Sequence, residues 1–448
     1  MAGGFGKRRF GIGIVGAGMA AKPHALALKA LSETVAVRGV YRRDAAARHA
    51  FAAEYGFPEA ESLEALLADP ETDAILVLTP PNARADIAAA AARAGKHILM
   101  EKPVERSAKA AADIVDLCAA AGVTLGIIFQ HRFRDGAIRL KAMLDAGDLG
   151  PIHAVTLSVP WWRPQEGYYD KPGRGTLAQD GGGVLITQAV HSLDLMLSLC
   201  GPVAEVQAMA GTTGLHAMET EDFVAGGMRF ANGAWGSLTA STALYPGDAE
   251  TLVLACEEAT ATLSGGTLTL AWHDGRRERI GEAGEGLGGG GADPMAFPYH
   301  WHERQIADFV SAVTEGRAPR STGRTAMGVH RLIEALLASA REGRKVQVRR
   351  MLSEIDGPLP AGTILRFPGG HPYEPIVDFM VVEIPGGEIG LAVASGFHAG
   401  RIPQILPAEA SGVGGQAPDA QWLAQNWQHW VWPACAARDV EVLESRAL

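Results

Sequence analysis

Short apolar runs alternate with segments of helical periodicity over the first 130 or so residues. The apolar runs predict strands over Ile12–Val15, Val35–Tyr41, Ala74–Leu78, His97–Met100 and Val123–Phe129. Helical periodicity lies between them, over Arg43–Tyr55, Ser62–Ala68, Arg84–Ala94 and Ala108–Ala121. Strands joined by helical crossovers form a parallel sheet covered by helices. We therefore predict an α/β domain over residues 1–131, with the doubly wound parallel sheet of a Rossmann fold.

The pattern changes after Phe129. Alternating strand patterns begin at Ile152–Pro160 and recur between residues 204 and 272, and helical patterns cover Val184–Leu199, Glu303–Thr314 and Thr325–Arg341. Gly281–Asp293 has the composition of a glycine-rich loop. These patterns predict an α+β domain with an open, mostly antiparallel sheet over residues 132–350.

Residues 351–448 differ in composition from the rest of the chain. No lysine follows Lys345, and the segment carries four arginines and eleven acidic residues, a net charge of −7 against −10 for all 448 residues. It also holds four of the nine tryptophans, Trp422, Trp427, Trp430 and Trp432. A change this abrupt indicates a small separate α+β domain, with a core built on these tryptophans.

The overall composition excludes several classes of protein. A net charge of −10 argues against nucleic acid as a partner, and no apolar run has the length of a membrane span. The four cysteines lie far apart without a CxxC motif, which is typical of reduced thiols in the cytoplasm. The apolar stretch after Arg9 is interrupted by glycines, so we interpret it as a strand rather than a signal peptide.

A glycine-rich turn, Gly16-Ala17-Gly18-Met19-Ala20-Ala21, joins the first strand to a helix. It fits the dinucleotide motif, in which the first glycine permits the turn and the second lets a pyrophosphate approach the backbone. The alternative is a glycine turn that binds nothing. The carboxyl ends of parallel strands form the ligand crevice, so we predict that the cofactor contacts the residues at those ends. The set is Gly16, Gly18, Met19, Ala20, Arg42, Arg43, Thr79, Pro80, Asn82, Glu101 and Lys102.

The end of the second strand favours NADP over NAD. Tyr41 and Arg42 stand where an acid would bind a ribose 2′-hydroxyl, and arginine pairs with a 2′-phosphate. NAD remains an alternative cofactor, because a shifted turn would bring the carboxylate of Asp44 to the ribose.

Two residues are candidates for proton transfer during hydride-transfer chemistry. Lys102 precedes Pro103 at the end of a strand, and burial lowers the pKa of a lysine toward the range of a useful base. His191 shares one face of a helix with Thr187 and Asp194. The structural alternatives are a solvated lysine and a satisfied core histidine.

The motifs together resemble those of the Gfo/Idh/MocA oxidoreductase family over roughly residues 9–350. They are Gly16–Ala21, Thr79-Pro80-Pro81-Asn82, Ala94-Gly95-Lys96-His97, Glu101-Lys102-Pro103 and Gly181–Asp194. The resemblance implies an NAD(P)-dependent oxidoreductase that transfers a hydride to or from a carbon of a sugar, cyclitol or cyclic diol. It implies catalytic roles for Lys102 and His191, and subunit contacts through the open sheet in a homo-oligomer. Many members carry Asp four residues before the histidine, whereas this chain has Thr187, so more of the proton transfer would fall to Lys102.

Substrate contacts are predicted from residues near these motifs. The set is Gln130, Arg132, Trp161, Arg163, Thr187 and Gln188. Aromatic faces suit rings and arginine suits carboxylate or phosphate, so a cyclic and possibly acidic substrate fits; the alternative is ordinary packing beside a subunit interface. The run His300-Trp301-His302 lacks a further ligand nearby in sequence, so no metal site is predicted.

The last segment resembles a small family of bacterial toxin-immunity proteins. The resemblance lies in Leu365–Gly370, in Tyr373-Glu374-Pro375 and in the tryptophan-rich stretch Trp422–Pro433. It implies a compact unit that binds a toxin, and the alternative is a plain C-terminal extension. A second hypothesis for the whole chain is therefore a protein-binding immunity module carried on an oxidoreductase-like scaffold.

Overall fold

The computed structural model describes residues 8–281, 298–411 and 417–443. The chain divides into two compact units, Met1–Val346 and Gln347–Leu448. The glycine-rich loop predicted over Gly281–Asp293 lies outside the described residues beyond Gly281 itself. The described part of the chain contains no helix with the length and apolarity needed to cross a membrane.

The first unit begins with a five-stranded parallel sheet in the order β2-β1-β3-β4-β5. Its strands are β1 (Phe10–Val15), β2 (Val35–Tyr41), β3 (Ala74–Val77), β4 (His97–Met100) and β5 (Leu125–Ile127). Its helices are α1 (Ala21–Ala30), α2 (Ala45–Tyr55), α3 (Leu63–Ala68), α4 (Arg84–Arg93) and α5 (Ala108–Ala120). The strand order reverses beside β1, which opens a crevice at the carboxyl ends of the strands. The predicted Rossmann fold is confirmed.

Local side-chain chemistry fixes the starts of three of these helices. Asp44, Ser62 and Ser107 each accept a hydrogen bond from the backbone N–H three residues later. Such caps satisfy one of the unpaired N–H groups at a helix start. The turn before α1 has no side-chain cap. The N–H of Ala21 donates to the carbonyl of Gly18 at 3.0 Å, so the backbone of the glycine turn itself closes the start of this helix.

The second sheet has nine strands in the order β13-β12-β11-β10-β6-β9-β8-β7-β14. They are β6 (Ile152–Pro160), β7 (Val203–Gly211), β8 (Phe223–Phe230), β9 (Trp235–Ser241), β10 (Thr251–Cys256), β11 (Ala259–Ser264), β12 (Thr267–Trp272), β13 (Arg277–Ile280) and β14 (Val346–Gln347). β6 and β9 pair in parallel, and the six other pairs with a described register are antiparallel. The prediction of a mostly antiparallel sheet is confirmed.

Four helices accompany this sheet in sequence. They are α6 (Asp135–Ala146), α7 (Val190–Cys200), α8 (His300–Glu315) and α9 (Gly323–Glu342). Helix α8 also belongs to the core of the first sheet, because Ile306 and Phe309 share one apolar cluster with Ile12 and Leu76. The sequence pattern assigns this helix to the second domain, whereas its apolar face covers the parallel sheet.

The second unit is built on its own antiparallel sheet, in the order β18-β17-β16-β15-β19. Its elements are β15 (Ile364–Pro368), β16 (Ile376–Ile384), β17 (Glu388–Val393), β18 (Gln404–Ile405), α10 (Ala420–Asn426) and β19 (Glu441–Leu443). This agrees with the small α+β domain expected from composition.

The tryptophans of this unit differ in burial. Trp427 is fully buried and lies edge-on to Phe367 at 5.1 Å between ring centroids. Trp422 and Trp432 are partly buried against the same core. Trp430 is 37% exposed and is not part of that cluster, so the expectation that all four form the core is wrong for this residue.

A chain ending at Arg350 should fold and bind the dinucleotide. It retains all of β14 and the cores of both sheets of the first unit, so its melting temperature should stay within a few degrees of the full-length value. Residues 347–448 expressed alone should also fold, with the blue-shifted fluorescence of a buried Trp427. Insoluble protein, or loss of cofactor binding in the shortened chain, would show that the first unit depends on the last segment.

Candidate active site

A cavity of about 360 Å³ opens at the carboxyl ends of the parallel strands. Most of the predicted site residues line it. They are Gly18, Met19, Ala20, Thr79, Pro80, Glu101, Lys102, Gln130, Trp161, Arg163, Thr187, Gln188 and His191. The first unit thus brings together residues from both sheets around one space of a size that suits a small ligand.

The glycine turn has the geometry that a dinucleotide requires. Gly16 has φ +102°, and a Cβ there would lie 2.9 Å from the carbonyl carbon of Leu78, so this position needs glycine. A Cβ on Gly18 would meet no atom within 4 Å, which leaves open space above the turn. Thr79 lies beside this turn, and its Oγ1 is buried and has no hydrogen-bond partner among the described residues. The open backbone at the start of α1 and this hydroxyl fit a bound pyrophosphate.

Four predicted cofactor contacts are not among the residues that line the cavity: Gly16, which forms the turn, and Arg42, Arg43 and Asn82. The guanidinium of Arg42 donates to the carbonyl of Ala17 at 2.6 Å, which ties the end of β2 to the glycine turn. Arg43 and Asn82 are exposed. The carboxylate of Asp44 caps α2 by accepting from the N–H of Ala47 at 3.1 Å.

The loop after β4 is held by the buried guanidinium of Arg84. It donates to the carbonyls of Thr79 (2.9 Å), Glu101 and Pro103. Burial lowers the pKa of Arg84 to about 10, although the nearby Glu101 acts in the opposite direction. No pattern in the sequence indicates this role, because Arg84 stands at the start of an ordinary helical repeat.

Lys102 projects from this loop into the cavity. Its Nζ donates to the carbonyl of Thr187 at 2.8 Å, so the lysine and the helical segment that leads to His191 meet at one point. Burial lowers the pKa of Lys102 to about 8; Glu101 and Asp180 raise it, and Arg174 and Arg84 lower it. A lysine with this pKa is partly neutral near physiological pH and can accept a proton. The side chain of Thr187 turns away and donates to the carbonyl of Gly183 at 2.6 Å.

His191 is the second residue of α7, which follows a short π-helical segment, Leu185–Ala189. Its ring stacks on His131 at 5.0 Å between centroids and lies edge-on to Phe129. Burial first, and then the charge of Lys102, hold the pKa of His191 well below its usual value. The imidazole is therefore neutral, and its Nδ1 has no partner among the described residues. Irregular helix turns of this kind occur often at functional sites.

Part of the cavity lining is aromatic and cationic. The guanidinium of Arg163 lies 5.2 Å from the ring centroid of Trp161 and 5.8 Å from that of Tyr168. The guanidinium of Arg174 lies 5.2 Å from the same Tyr168 ring centroid. Gln188 Nε2 donates to the hydroxyl of Tyr168 at 2.9 Å. Burial lowers the pKa of Arg163, so an anionic ligand would stabilise its charged form.

Arg132, predicted as a substrate contact, is not among the residues that line the cavity. Its Nε and Nη2 both bond the carboxylate of Asp194 at 2.6 Å, and its Nη1 bonds the carbonyl of Arg320. Asp194, which was predicted to share a helix face with Thr187 and His191, is thus engaged in a buried ion pair. Asp180, which was not among the predicted site residues, lines the cavity instead and lies 3.7 Å from Arg174.

Several buried polar atoms around the cavity have no partner among the described residues. They include Thr79 Oγ1, Gln130 Oε1, Trp161 Nε1 and His191 Nδ1. Buried polar groups are nearly always hydrogen-bonded in folded proteins. A set of them around one cavity fits a ligand that carries several hydroxyl groups.

One cluster in the described chain has a composition suited to metal binding. Donor atoms of His24, Glu101 and His302 lie within 4.8 Å of one another, and all three residues are buried. The neighbours of His302 along the chain give no sign of this cluster, because its other members come from α1 and from the loop after β4. His24 Nε2 and Glu101 Oε1 are 2.8 Å apart and form a hydrogen bond.

Comparison with known proteins identifies the family. Residues 10–129 match the model described as the oxidoreductase family with an NAD-binding Rossmann fold, and residues 137–262 match the GFO/IDH/MocA C-terminal domain. D-xylose 1-dehydrogenase (NADP(+)) 2 of Haloferax volcanii is 30% identical over 348 residues, covering 75% of this chain and 99% of that protein. The chain belongs to the Gfo/Idh/MocA family. It is an NAD(P)-dependent oxidoreductase, as the sequence motifs predict.

Two further relatives place this Gfo/Idh/MocA protein in context. 1,5-anhydro-D-fructose reductase of Ensifer adhaerens is 36% identical over 197 residues, which is 41% of this chain and 55% of that protein. The WlbA dehydrogenase from Bordetella pertussis, solved in complex with NADH and UDP-GlcNAcA, superposes with a TM-score of 0.64 at 27% identity, over 76% of this chain and 99% of the other. Residues 356–442 match the model of Immunity protein 45, in agreement with the resemblance found in the sequence.

Proposed function

We propose that the enzyme oxidises or reduces one carbon of a cyclic, polyhydroxylated substrate, with Lys102 and His191 as its catalytic residues. The observation that carries this proposal is the contact of Lys102 Nζ with the Thr187 carbonyl, at 2.8 Å, in the same cavity as His191. The relatives support the substrate class, since they include D-xylose 1-dehydrogenase and inositol 2-dehydrogenase. When bound, the nicotinamide supplies the hydride acceptor or donor.

The two residues have different tasks in this proposal. In the oxidative direction the neutral amine of Lys102 accepts the proton of the substrate hydroxyl, and in the reductive direction its ammonium returns that proton. His191, held neutral by burial, hydrogen-bonds the same oxygen and orients it. Because Thr187 stands in place of an acid four residues before His191, no carboxylate at that position stabilises an imidazolium, and the proton stays with Lys102.

Lys102→Ala should lower turnover by roughly 10²–10⁴-fold while the dissociation constant of the cofactor changes by less than about tenfold. In the unchanged enzyme, kcat/KM for oxidation should rise with pH and level off above about pH 8, because the ammonium must lose its proton before it can act. His191→Asn is the matched control: it should be slower but keep the same pH midpoint. Near-normal turnover of Lys102→Ala would remove this lysine from the mechanism.

We further propose that the substrate carries a carboxylate. Lys102, Arg163 and Arg174 line the cavity, and the aromatic rings of Trp161 and Tyr168 offer flat faces for a sugar ring. UDP-GlcNAcA, the sugar nucleotide bound in the WlbA structure, agrees with this class. Arginine binds carboxylates through paired, charge-assisted hydrogen bonds.

Matched pairs of neutral and acidic sugars test this assignment. The kcat/KM for glucuronate should be higher than that for glucose, and the kcat/KM for galacturonate should be higher than that for galactose. Arg174→Gln should reduce kcat/KM for the uronates by about 10–100-fold, the loss of one charge-assisted contact, and change that for the neutral sugars by less than about threefold. Equal losses on both members of each pair would contradict a carboxylate site.

The proposed preference for NADP rests on the guanidinium at the end of β2. Asp44 is engaged as a helix cap, so the carboxylate that would bind a ribose 2′-hydroxyl is already in use. Arg42 and the exposed Arg43 offer positive charge to a 2′-phosphate. Titration with the two reduced cofactors should give the lower dissociation constant for NADPH, and Arg43→Ala should narrow the difference. Tighter binding of NADH would refute the preference.

Oligomerisation through the open sheet is proposed from its uncovered residues. Trp235 is 63% exposed and Met209 is 77% exposed, and both project from strands of the nine-stranded sheet. Exposed apolar residues on one sheet favour a subunit contact.

The four cysteines are all buried and form no disulfides, which supports the proposed cytoplasmic location.

A protein-binding role is a second candidate function, for residues 351–448. The match to Immunity protein 45, the separate core and the acidic composition support it. In this proposal the second unit binds a toxin of basic character. It is compatible with enzymatic activity in the first unit, because the two units have separate sheets and cores.

A further inference from the structure

A buried hydrogen-bonded chain lies behind the catalytic lysine. Nε2 of His24 donates to Oε1 of Glu101 at 2.8 Å, and Oε2 of the same carboxylate accepts from the backbone N–H of Lys102 at 3.0 Å. His24 is 0% exposed and Glu101 is 7% exposed. Both carboxylate oxygens are thus used, one by a side chain from α1 and one by the residue that carries the amine.

This arrangement lets α1 control where Lys102 stands. Arg84 holds the carbonyls of Glu101 and Pro103 from one side, and the Glu101 carboxylate holds the Lys102 N–H from the other. The bond from His24 is the main hydrogen bond that favours the ionised form of this buried carboxylate, so its loss would remove part of what keeps Glu101 ionised. His302 of α8 lies edge-on to His24 at 4.6 Å between ring centroids and limits the rotation of its ring.

We propose that His24 is a positioning residue for proton transfer: through its hydrogen bond to Glu101 it fixes the carboxylate that orients Lys102 toward the substrate hydroxyl. The proposal rests on the proposed function, since it takes Lys102 as the proton acceptor. It adds a residue from the helix that follows the glycine turn to the machinery of the reaction.

The charges around Glu101 and Lys102 give this positioning role a distinctive consequence. Burial disfavours the charged form of Glu101, yet the hydrogen bond and charge of His24, with the charge of Lys102, lower the pKa of this acid below its usual value. The ionised Glu101 in turn raises the pKa of Lys102, with Asp180 acting in the same direction and Arg174 and Arg84 against it. If Glu101 took up a proton, the pKa of Lys102 would fall.

The experiment compares His24→Phe, which keeps a ring without a donor, with His24→Gln, which keeps an N–H donor. Turnover, the dissociation constant of the reduced cofactor and the pH dependence of Lys102 labelling by an amine-reactive reagent are measured, the last by peptide mass spectrometry. We expect His24→Phe to lose about 10–100-fold in kcat, with the cofactor dissociation constant within about threefold. Its labelling midpoint should move to lower pH, and His24→Gln should restore both values toward those of the unchanged enzyme.

The direction of the labelling midpoint separates positioning from loosened packing. A site opened by local unfolding would expose the amine to water and move the midpoint upward, toward the ordinary pKa of lysine. An unchanged kcat with an unchanged midpoint, or an upward shift, would overturn the proposal. So would stoichiometric zinc in the purified enzyme that is lost in His24→Phe, because the cluster would then be a metal site.

Two controls keep the outcome interpretable. If His24→Phe does not fold, Glu101→Gln replaces it, and loss of the carboxylate charge must then lower the labelling midpoint of Lys102. Failure of the proposed function has a different signature, since Lys102→Ala would keep its turnover. If Lys102→Ala is inactive and His24→Phe is fully active, the proposed function stands and only the positioning role of His24 is refuted.

Discussion

The guanidinium of Arg84 is the constraint on which the geometry of the cavity depends. A buried charge is tolerated only when it is well hydrogen-bonded, and this one is bonded to carbonyls at the ends of β3 and β4. It therefore joins the segment that carries Thr79 to the segment that carries Lys102. The two residues face the same cavity because one cation holds both backbones.

Burial then determines which ionisable groups of the cavity are charged. It keeps His131 and His191 neutral by lowering the pKa of each, and it brings the pKa of Lys102 to about 8. Arginine keeps its charge under the same conditions because its ordinary pKa is so high. Permanent positive charge is thus left to the arginines, while the lysine is the group whose protonation changes in the working pH range. Asp194, a potential partner for His191, is bonded to Arg132 instead.

The sequence predicts most of what depends on local patterns and on the topology of a parallel sheet. Gly18, Thr79 and Lys102 follow three different strands, and the carboxyl ends of parallel strands share one edge, so their meeting was predictable. Arg132 was not, because it lies in a 3-10 turn, Gln130–Phe133, where residues two apart face different directions. Gln130 reaches the cavity and Arg132 reaches Asp194. His24 and His302 meet only through the packing of α1 against α8, which no local spacing encodes.

Helix α8 has a consequence for how the chain is made. Ile306 and Phe309 complete the apolar cluster of a sheet whose last strand ends at Ile127, and the ring of Phe309 fills the space beside Gly126. During synthesis from the amino end, β1–β5 emerge from the ribosome long before these two side chains exist. The nascent sheet consequently lacks part of its apolar cover while strands β6–β13 of the second sheet are still being translated. Transiently exposed apolar surface of this kind is prone to aggregate, and the core of this sheet stays incomplete until α8 has been made.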